Sequence, residues 1–285
     1  MITASQIQKK FYELKESSSL NSILIINICE TGFEMVTFTK EPFIITKIGE
    51  ITFHDGFKNQ DELSQYFLQF VNEFDLSKNN YNNIYINWLN KHFTLVPNSF
   101  YTADKAKELL DFNIGNIENE TVLTNDVLGD VKFVYSIPAS FKNTLDKTFP
   151  KHDIKHFGYN SIQLFFDHFQ LKNADVFLNI HNGSIELLIK KDKQLLLYNM
   201  FNTKSDEDIL YYLMFSVEQF KLNTLTLKLS IAANRETGDE LFKSIKKYIK
   251  QVNFVVSDKI IVRKETFESI PHHFYFILLN RLLCE

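Results

Sequence analysis

The sequence predicts an α/β protein built from one structural unit that occurs twice. Three short apolar runs, an amphipathic stretch and a further apolar run follow one another between Ser22 and Trp88, and again between Val176 and Ile231. Apolar runs bounded by turn residues are typical of strands, and apolar residues three to four apart are typical of a helix face. The copies begin about 150 residues apart. We therefore predict two similar subdomains around a cleft.

The second copy is the clearer one, because Asn182-Gly183 is a pair preferred by two-residue hairpin turns. Ser205, followed by three acidic residues, has the composition of a helix N-terminus. The predicted elements are strands at Val176–Ile180, Ile185–Ile189 and Leu195–Phe201, a helix over Ser205–Lys221, and a strand at Thr224–Ile231.

The first copy has the same order of elements. Its helix is predicted from the spacing of Leu63, Phe67, Phe70, Val71 and Phe74. The predicted elements are strands at Ser22–Ile28, Phe33–Thr39 and Phe43–Phe53, a helix over Asn59–Phe74, and a strand at Asn83–Trp88.

The remaining segments alternate between helix and strand, as α/β domains do. Ile7–Leu14 is predicted as a short helix in a flexible lead-in of residues 1–21, which precedes a first subdomain at 22–172 and a second at 173–285. Further helices are predicted at Ala103–Phe112, Ser140–Thr148, Tyr159–Phe169, Thr237–Ile249 and Phe274–Leu283, and strands at Glu120–Thr124, Asp130–Ile137, Val252–Val256 and Ile260–Val262. His92–Val96 is a short apolar piece that ends at Pro97.

Composition narrows the class of protein. A net charge of −4 with scattered lysines gives no basic face for nucleic acid, and no apolar run reaches membrane-spanning length. The two cysteines, Cys29 and Cys284, form no disulfide framework, which favours a reducing, cytoplasmic location. The 28 phenylalanines predict an aromatic core. The apolar C-terminal helix has no basic face, so we expect it to be buried and not to contact a membrane.

The order of the duplicated elements resembles the actin-like ATPase (ribonuclease H-like) fold, and the chain is distantly similar to FtsA- and PilM-type proteins. Three segments resemble a narrower bacterial group, the domain of unknown function 3822 family: Asn87–Tyr101, Asp175–Ile189 and His272–Glu285. The resemblance implies the actin-like fold over nearly the whole chain from Ser22. It implies no activity.

Actin-like ATPases hold phosphate and magnesium with two hairpin turns of the Asp-x-Gly type, since a carboxylate faces the metal and glycine admits the phosphates. On this resemblance, the cofactor positions of the first turn are Asn27 and Gly32, with Cys29 where glycine is expected. Those of the second turn are Asn179 and Gly183. Asparagine brings no negative charge, so magnesium affinity should fall sharply.

Two further positions depart from the ATPase pattern. His181 replaces a glycine in the second turn, and Ala232-Ala233-Asn234 occupies the place of a Gly-Gly adenosine motif. Neither Cys29 nor His181 has an identifiable catalytic partner in the sequence, and His272-His273 has no third metal ligand. We therefore predict no catalytic residues, no metal site and no cofactor.

These observations favour a non-catalytic, pseudo-ATPase protein that acts as a cytoplasmic interaction module for an unidentified protein partner. The sequence does not fix its oligomeric state. The alternative is a protein that binds or hydrolyses ATP with Mg²⁺ through a divergent phosphate site in the cleft, with acids such as Asp153, Asp175 or Glu186 brought in from elsewhere.

Overall fold

The computed structural model describes residues 7–14, 22–40, 42–53, 56–57, 59–257 and 261–284. The chain divides into two compact units. The first comprises Met1–Tyr159 and Ile260–Phe267, and the second comprises Asn160–Lys259 and Glu268–Glu285. The sequence placed the border between residues 172 and 173 and assigned 260–267 to the second subdomain, so the observed division differs at both places.

The first unit contains most of the strands. Its elements are β1 (Ile7–Glu13), β2 (Ser22–Cys29), β3 (Gly32–Thr39), β4 (Phe43–Phe53), α1 (Gln60–Glu73), β5 (Tyr81–Trp88), β6 (Phe93–Pro97), α2 (Ala106–Ile114), β7 (Glu120–Val127), β8 (Val131–Pro138), α3 (Ala139–Thr148), β9 (Asp153–His156) and, late in the chain, β15 (Ile261–Val262). Helix α4 (Phe157–Asp167) begins in this unit and continues into the second.

The second unit is smaller. Its elements after α4 are β10 (Val176–His181), β11 (Ser184–Lys191), β12 (Gln194–Asn202), α5 (Asp206–Gln219), β13 (Lys228–Ala233), α6 (Glu240–Tyr248), β14 (Gln251–Phe254) and α7 (Phe276–Asn280).

The predicted duplication is confirmed by the strand order of the two main sheets. The order β4-β3-β2-β5-β9 in the first unit matches β12-β11-β10-β13-β14 in the second. In both, the first three strands pair antiparallel and the last two pair parallel. The first unit adds β1 and β15 on the free side of β4, and a separate antiparallel sheet of order β6-β8-β7.

The crossover helices match as closely as the strands. Helices α1 and α5 both have 14 residues, and their N-caps Asn59 and Ser205 accept a hydrogen bond from the backbone three residues on. Each buries one stripe on its sheet, Leu63, Phe67, Phe70 and Val71 in α1 and Ile209, Leu213 and Val217 in α5. Phe33 is at the centre of the aromatic core of the first unit, where its ring contacts four others: Phe53, Phe57, Phe67 and Phe70.

Strand alternation gives each sheet two buried faces of different character. In the second unit, one face carries Leu178, Ile180 and Leu187 against α5 and α6. The opposite face carries Phe177, Asn179 and Glu186, because successive strand residues point to opposite sides. Polar side chains are thereby placed inside the protein on the second face.

The helix predicted at Ile7–Leu14 is wrong, since residues 7–13 form strand β1, paired antiparallel with β4. Phe11 packs on Phe74 at 5.1 Å between ring centroids, and Lys10 pairs with Glu50. Tertiary pairing thus overrides the local preference of a short segment. The lead-in is therefore not flexible over these residues, and its residues 1–6 and 15–21 lie outside the described chain.

Three smaller differences concern strand β13, strand β9 and the C-terminal helix. Strand β13 begins at Lys228 and not at Thr224, because the preceding residues turn back and Leu227 N donates to Asn223 O at 2.8 Å. Strand β9 was not predicted. The C-terminal helix is short, with only Phe276–Asn280 α-helical after Tyr275 at φ 56°, and it is buried as expected.

Candidate phosphate-turn sites

In the first unit, the candidate turn joins β2 to β3. Cys29 pairs with Gly32, so Glu30 and Thr31 form the two-residue turn. Asn27 lies two residues before Cys29, directly opposite Glu34 on β3 and beside Asn87 on β5. The predicted site residue is thus the centre of a polar row that crosses three adjacent strands.

Asn27 is 5% exposed, and both ends of its side-chain amide are bonded within this row. Its Nδ2 donates to Glu34 Oε2 at 2.8 Å, and its Oδ1 accepts from Asn87 Nδ2 at 2.7 Å. The only oxygen through which Asn27 could approach a cation already accepts a short hydrogen bond.

The second unit repeats this arrangement between β10 and β11. His181 pairs with Ser184, which leaves Asn182 and Gly183 as the turn, with Gly183 at φ 80°. Such a φ is readily adopted by glycine. Asn179 lies opposite Glu186, seven residues on, as Asn27 does opposite Glu34.

Glu186 is fully buried and is the acceptor at the centre of a five-residue network. Its Oε2 accepts from Asn179 Nδ2 at 2.7 Å and lies 3.0 Å from His181 Nε2. Its Oε1 accepts from Tyr198 Oη at 2.8 Å, and Ser161 Oγ lies 3.0 to 3.1 Å from both carboxylate oxygens. Burial alone would raise the pKa of Glu186, but His181, Tyr198 and Asn179 outweigh it and hold that pKa below its usual value.

The pairing registers correct one equivalence taken from the sequence. Gly32 corresponds to Ser184 and not to Gly183, because each follows the two turn residues and opens the return strand. A Cβ atom at Gly32 would lie 2.2 Å from the carbonyl oxygen of Ile51 on β4. Packing between strands therefore accounts for this glycine.

Cys29 and His181 hold equivalent places before the two turns. Cys29 Sγ donates to Gly32 O at 3.3 Å, and burial, followed by the charge of Glu34, raises the pKa of its thiol to about 11. Cys29 is therefore a protonated thiol at neutral pH and not an activated nucleophile. The side chain of His181 is 14% exposed and paired with Glu186.

The loop after β13, where the adenosine motif was expected, is occupied by a salt-bridged arginine. Arg235 donates to both carboxylate oxygens of Asp206, at 2.6 and 2.9 Å, and its Nε donates to Asp239 at 2.9 Å. Asp206 begins α5 and Asp239 caps α6. The arginine therefore joins the N-termini of both helices.

The C-terminal segment closes over the same loop. His273 Nε2 lies 2.7 Å from Arg235 O, and Tyr275 N donates to Asn234 Oδ1 at 2.7 Å. The second histidine of the His272-His273 pair thus has a packing role. The Arg235 carbonyl and the Asn234 side chain in this loop are therefore hydrogen-bonded to the C-terminal segment.

Of the three acids considered for a divergent site, Glu186 lies beside the second turn, bonded to Asn179 and His181, and the other two lie elsewhere. Asp175 accepts from Lys228 N at 2.8 Å just before β10, at the end of that strand away from its turn. Asp153 begins β9 in the first unit. Among residues 7–14, 22–40, 42–53, 56–57, 59–257 and 261–284, no group of three or more His, Cys, Asp or Glu side chains could hold a metal ion. At both turns the position expected for a metal-facing carboxylate is an amide that is hydrogen-bonded to a neighbouring glutamate.

Sequence reasoning missed Glu34 and the central role of Glu186, although both carry a readable signal. An asparagine is followed seven residues later by a glutamate in each copy, and a two-residue hairpin places such residues opposite one another. Ser161 and Arg235 carry no comparable signal, because they reach their partners from other elements.

The chain belongs to the family described as Protein of unknown function (DUF3822), whose model matches residues 12–252. Of the three segments that suggested this family, His272–Glu285 lies beyond the match. No curated protein matches the sequence.

Solved structures define the fold. A Bacteroides thetaiotaomicron protein with an actin-like ATPase fold and unknown function superimposes with a TM-score of 0.70 at 21% identity, covering 83% of this chain and 91% of that one. A PilM–PilN type IV pilus biogenesis complex matches with a TM-score of 0.60 at 11% identity, covering 92% of this chain and 98% of that one. The chain therefore has the actin-like ATPase fold. No helix among its described residues is long and apolar enough to span a membrane.

Proposed function

We propose that this chain is a pseudo-ATPase, an actin-like protein that binds a protein partner in the cytoplasm without ATP or Mg²⁺. One observation carries the proposal. In both units the position of the metal-facing acid is an asparagine, and its amide is hydrogen-bonded to a glutamate on the neighbouring strand, at 2.8 Å for Asn27 and 2.7 Å for Asn179.

The glutamates do not restore the missing charge at the turns. Glu186 is fully buried, and both of its carboxylate oxygens accept hydrogen bonds. Glu34 accepts a hydrogen bond from Asn27 on the adjacent strand. Magnesium requires nearly octahedral oxygen ligands and gives up its water reluctantly. Recruiting either carboxylate would leave buried amide and hydroxyl donors without an acceptor, which costs about 1–3 kcal/mol for each group.

The engaged loop after β13 supports the same proposal. Arg235, Asn234 and the C-terminal segment satisfy one another there, and the guanidinium is committed to Asp206 and Asp239. A relative with this fold, PilM, was solved in complex with PilN. That complex supports protein binding as the use of the fold in this chain, and Cys29 and Cys284, both present as thiols, support a reducing location.

Thermal unfolding with and without millimolar Mg-ATP tests the nucleotide half of the proposal. A ligand at 100 times its dissociation constant stabilises the folded state by about 2.7 kcal/mol. We expect no shift in Tm beyond that given by Mg²⁺ alone or by ATP with EDTA. A shift that requires both would overturn the proposal and establish the ATP-binding alternative.

Affinity capture of the tagged chain from its native cells tests the other half. We expect one protein to be enriched over an equally tagged control, and to remain bound in EDTA after ATP has been removed enzymatically. Loss of the partner on nucleotide removal, or no enrichment over the control, would contradict an ATP-independent interaction module.

A further inference from the structure

Among the described residues, one edge of the main sheet is covered in the first unit and open in the second. The outer side of β4 pairs with β1 over Lys47–Phe53 and with β15 at Phe43 and Ile44. Strand β12 is the equivalent of β4, and within the described part of the chain it pairs with β11 alone. In the first unit an antiparallel strand, β1, is thus added to this edge, and in the described part of the second unit no strand is added to the equivalent edge.

The composition of β12 does not protect it. Gln194–Asn202 contains no charged residue and no proline, whereas the outermost strand of the first unit, β1, contains Lys9, Lys10 and Glu13. Exposed edges normally carry charges, prolines or bulges that discourage pairing with another chain. A bulge at Leu196 interrupts the start of β12, so Leu197–Asn202 is the regular stretch.

The backbone groups on this edge can be assigned from one hydrogen bond. Met200 N donates to the side chain of Asn199 at 2.9 Å and not to β11, so Met200 faces outward. Alternation along a strand places the N–H and C=O groups of Tyr198 and Asn202 on the same side. The backbone groups of these three evenly spaced residues thus point away from β11, and the N–H of the middle residue is bonded to a neighbouring side-chain amide.

An exposed aromatic surface continues from this edge onto α5. The ring of Phe201 on β12 stacks on Tyr212 at 4.5 Å, Tyr212 meets Tyr211 at 5.3 Å, and Tyr211 stacks on Phe215 at 5.8 Å. Tyr211 is 60% exposed and Phe215 is 46% exposed. At the equivalent positions of α1, the first unit has Gln65 and Gln69.

We propose that this surface pairs with a second copy of the chain, β12 against β12 in antiparallel orientation, to form a two-fold dimer with a continuous sheet. A two-fold axis beside Met200 sets the outward-facing residues of the two strands opposite one another, in register. Strands related by such an axis are antiparallel, which is the direction in which β1 covers β4.

The exposed stripe of α5 is complementary to itself under the same symmetry. It runs Glu207, Tyr211, Phe215, Gln219, at intervals of four residues. Antiparallel packing about the middle of this helix sets Tyr211 against Phe215 and Glu207 against Gln219. The aromatic rings are then buried at the centre, and each carboxylate meets an amide and not another carboxylate. This arrangement favours a second copy over a partner of opposite charge.

Sedimentation velocity over a hundredfold range of concentration, up to about 100 µM, tests the proposal through mass action. We expect the wild type to approach the mass of two chains. Phe215→Lys, on the stripe, and Asn199→Lys, on the strand edge, should each raise the dimer dissociation constant by about 30-fold or more, as loss of an interface hot spot does. Phe112→Lys, at an 89% exposed site on α2 in the first unit, is the matched control and should leave the dimer intact.

Hydrogen exchange of the segment 197–202 gives a second measurement that does not depend on the variants. Its protection should rise with protein concentration in the wild type and in Phe112→Lys, but not in Phe215→Lys. A wild type that stays monomeric at about 100 µM overturns the proposal. The proposal is also overturned if Phe215→Lys and Asn199→Lys both keep native circular dichroism and neither changes the dimer dissociation constant. Neither outcome bears on nucleotide binding, so this inference and the proposed function can fail separately.

Discussion

Removing the buried carboxylate of Glu186 should destabilise the second unit far more than removing its counterpart Glu34 destabilises the first. In Glu186→Leu, four donors lose their acceptor at a site with no exposure: Asn179, His181, Ser161 and Tyr198. Breaking a buried charged network in this way costs about 3–5 kcal/mol.

The conservative variant Glu186→Gln separates the loss of charge from the loss of hydrogen bonds. Its amide oxygen can still accept from Asn179 and His181, while the hydroxyls of Ser161 and Tyr198 can turn to accept from its NH₂ group. What is lost is the strengthening of these bonds by the negative charge, about 1–2 kcal/mol in total. In Glu34→Leu, the buried amide of Asn27 loses one acceptor, which lies on the partly exposed Glu34, and we expect a cost of about 1–2 kcal/mol.

Urea unfolding followed by two probes measures these differences. Circular dichroism reports both units, whereas fluorescence of Trp88, the only tryptophan, reports the first. Glu186→Leu should shift the circular dichroism transition and leave the tryptophan transition nearly in place. A cost below about 2 kcal/mol, or one no greater than that of Glu34→Leu, would refute the view that Glu186 organises this face.

The same carboxylate predicts an acid dependence. Because the folded pKa of Glu186 is lowered, its contribution to stability is fully present above the unfolded pKa of about 4.3 and is lost as the pH falls through the folded value. The Glu186→Gln variant should lack this part of the acid destabilisation of the second unit.

Two further changes test the packing and the electrostatics. Gly32→Ala should destabilise the first unit by about 1–3 kcal/mol, since its Cβ meets the Ile51 carbonyl, whereas Gly238→Ala, with no atom within 4 Å, should be neutral or slightly stabilising in the same urea titration. Equal effects would contradict the packing role of Gly32. The second change concerns Lys190, which is buried. Its Nζ lies 4.0 Å from the Phe165 ring centroid and donates to Leu171 O at 3.0 Å. Burial lowers the pKa of Lys190 to about 8. The unfolded lysine keeps its proton up to about pH 10.4, so stability should rise between about pH 8 and 10, and Lys190→Met should abolish that rise; an unchanged slope would refute the assignment.

Local patterns carried the prediction of the fold. The Asn182-Gly183 turn, the Ser205 cap and the spacing of Leu63, Phe67 and Phe70 each depend on residues within one turn of each other, so the strands and helices of both copies could be placed from the chain alone. Segments whose state depends on distant partners could not. Strand β1 is stabilised by β4, and β9 contains only four residues, too few for a periodic signal.

The sequence by itself predicted the duplicated actin-like fold, which the solved structures confirm, and placed an asparagine where the resemblance expects the acid of each phosphate turn. Only the tertiary structure decided what those asparagines contact, because Glu34, Glu186 and Ser161 are brought to them by hydrogen-bonded registers and by helix packing. A side chain's identity is fixed by sequence, but its charge state and its free lone pairs depend on neighbours that folding supplies.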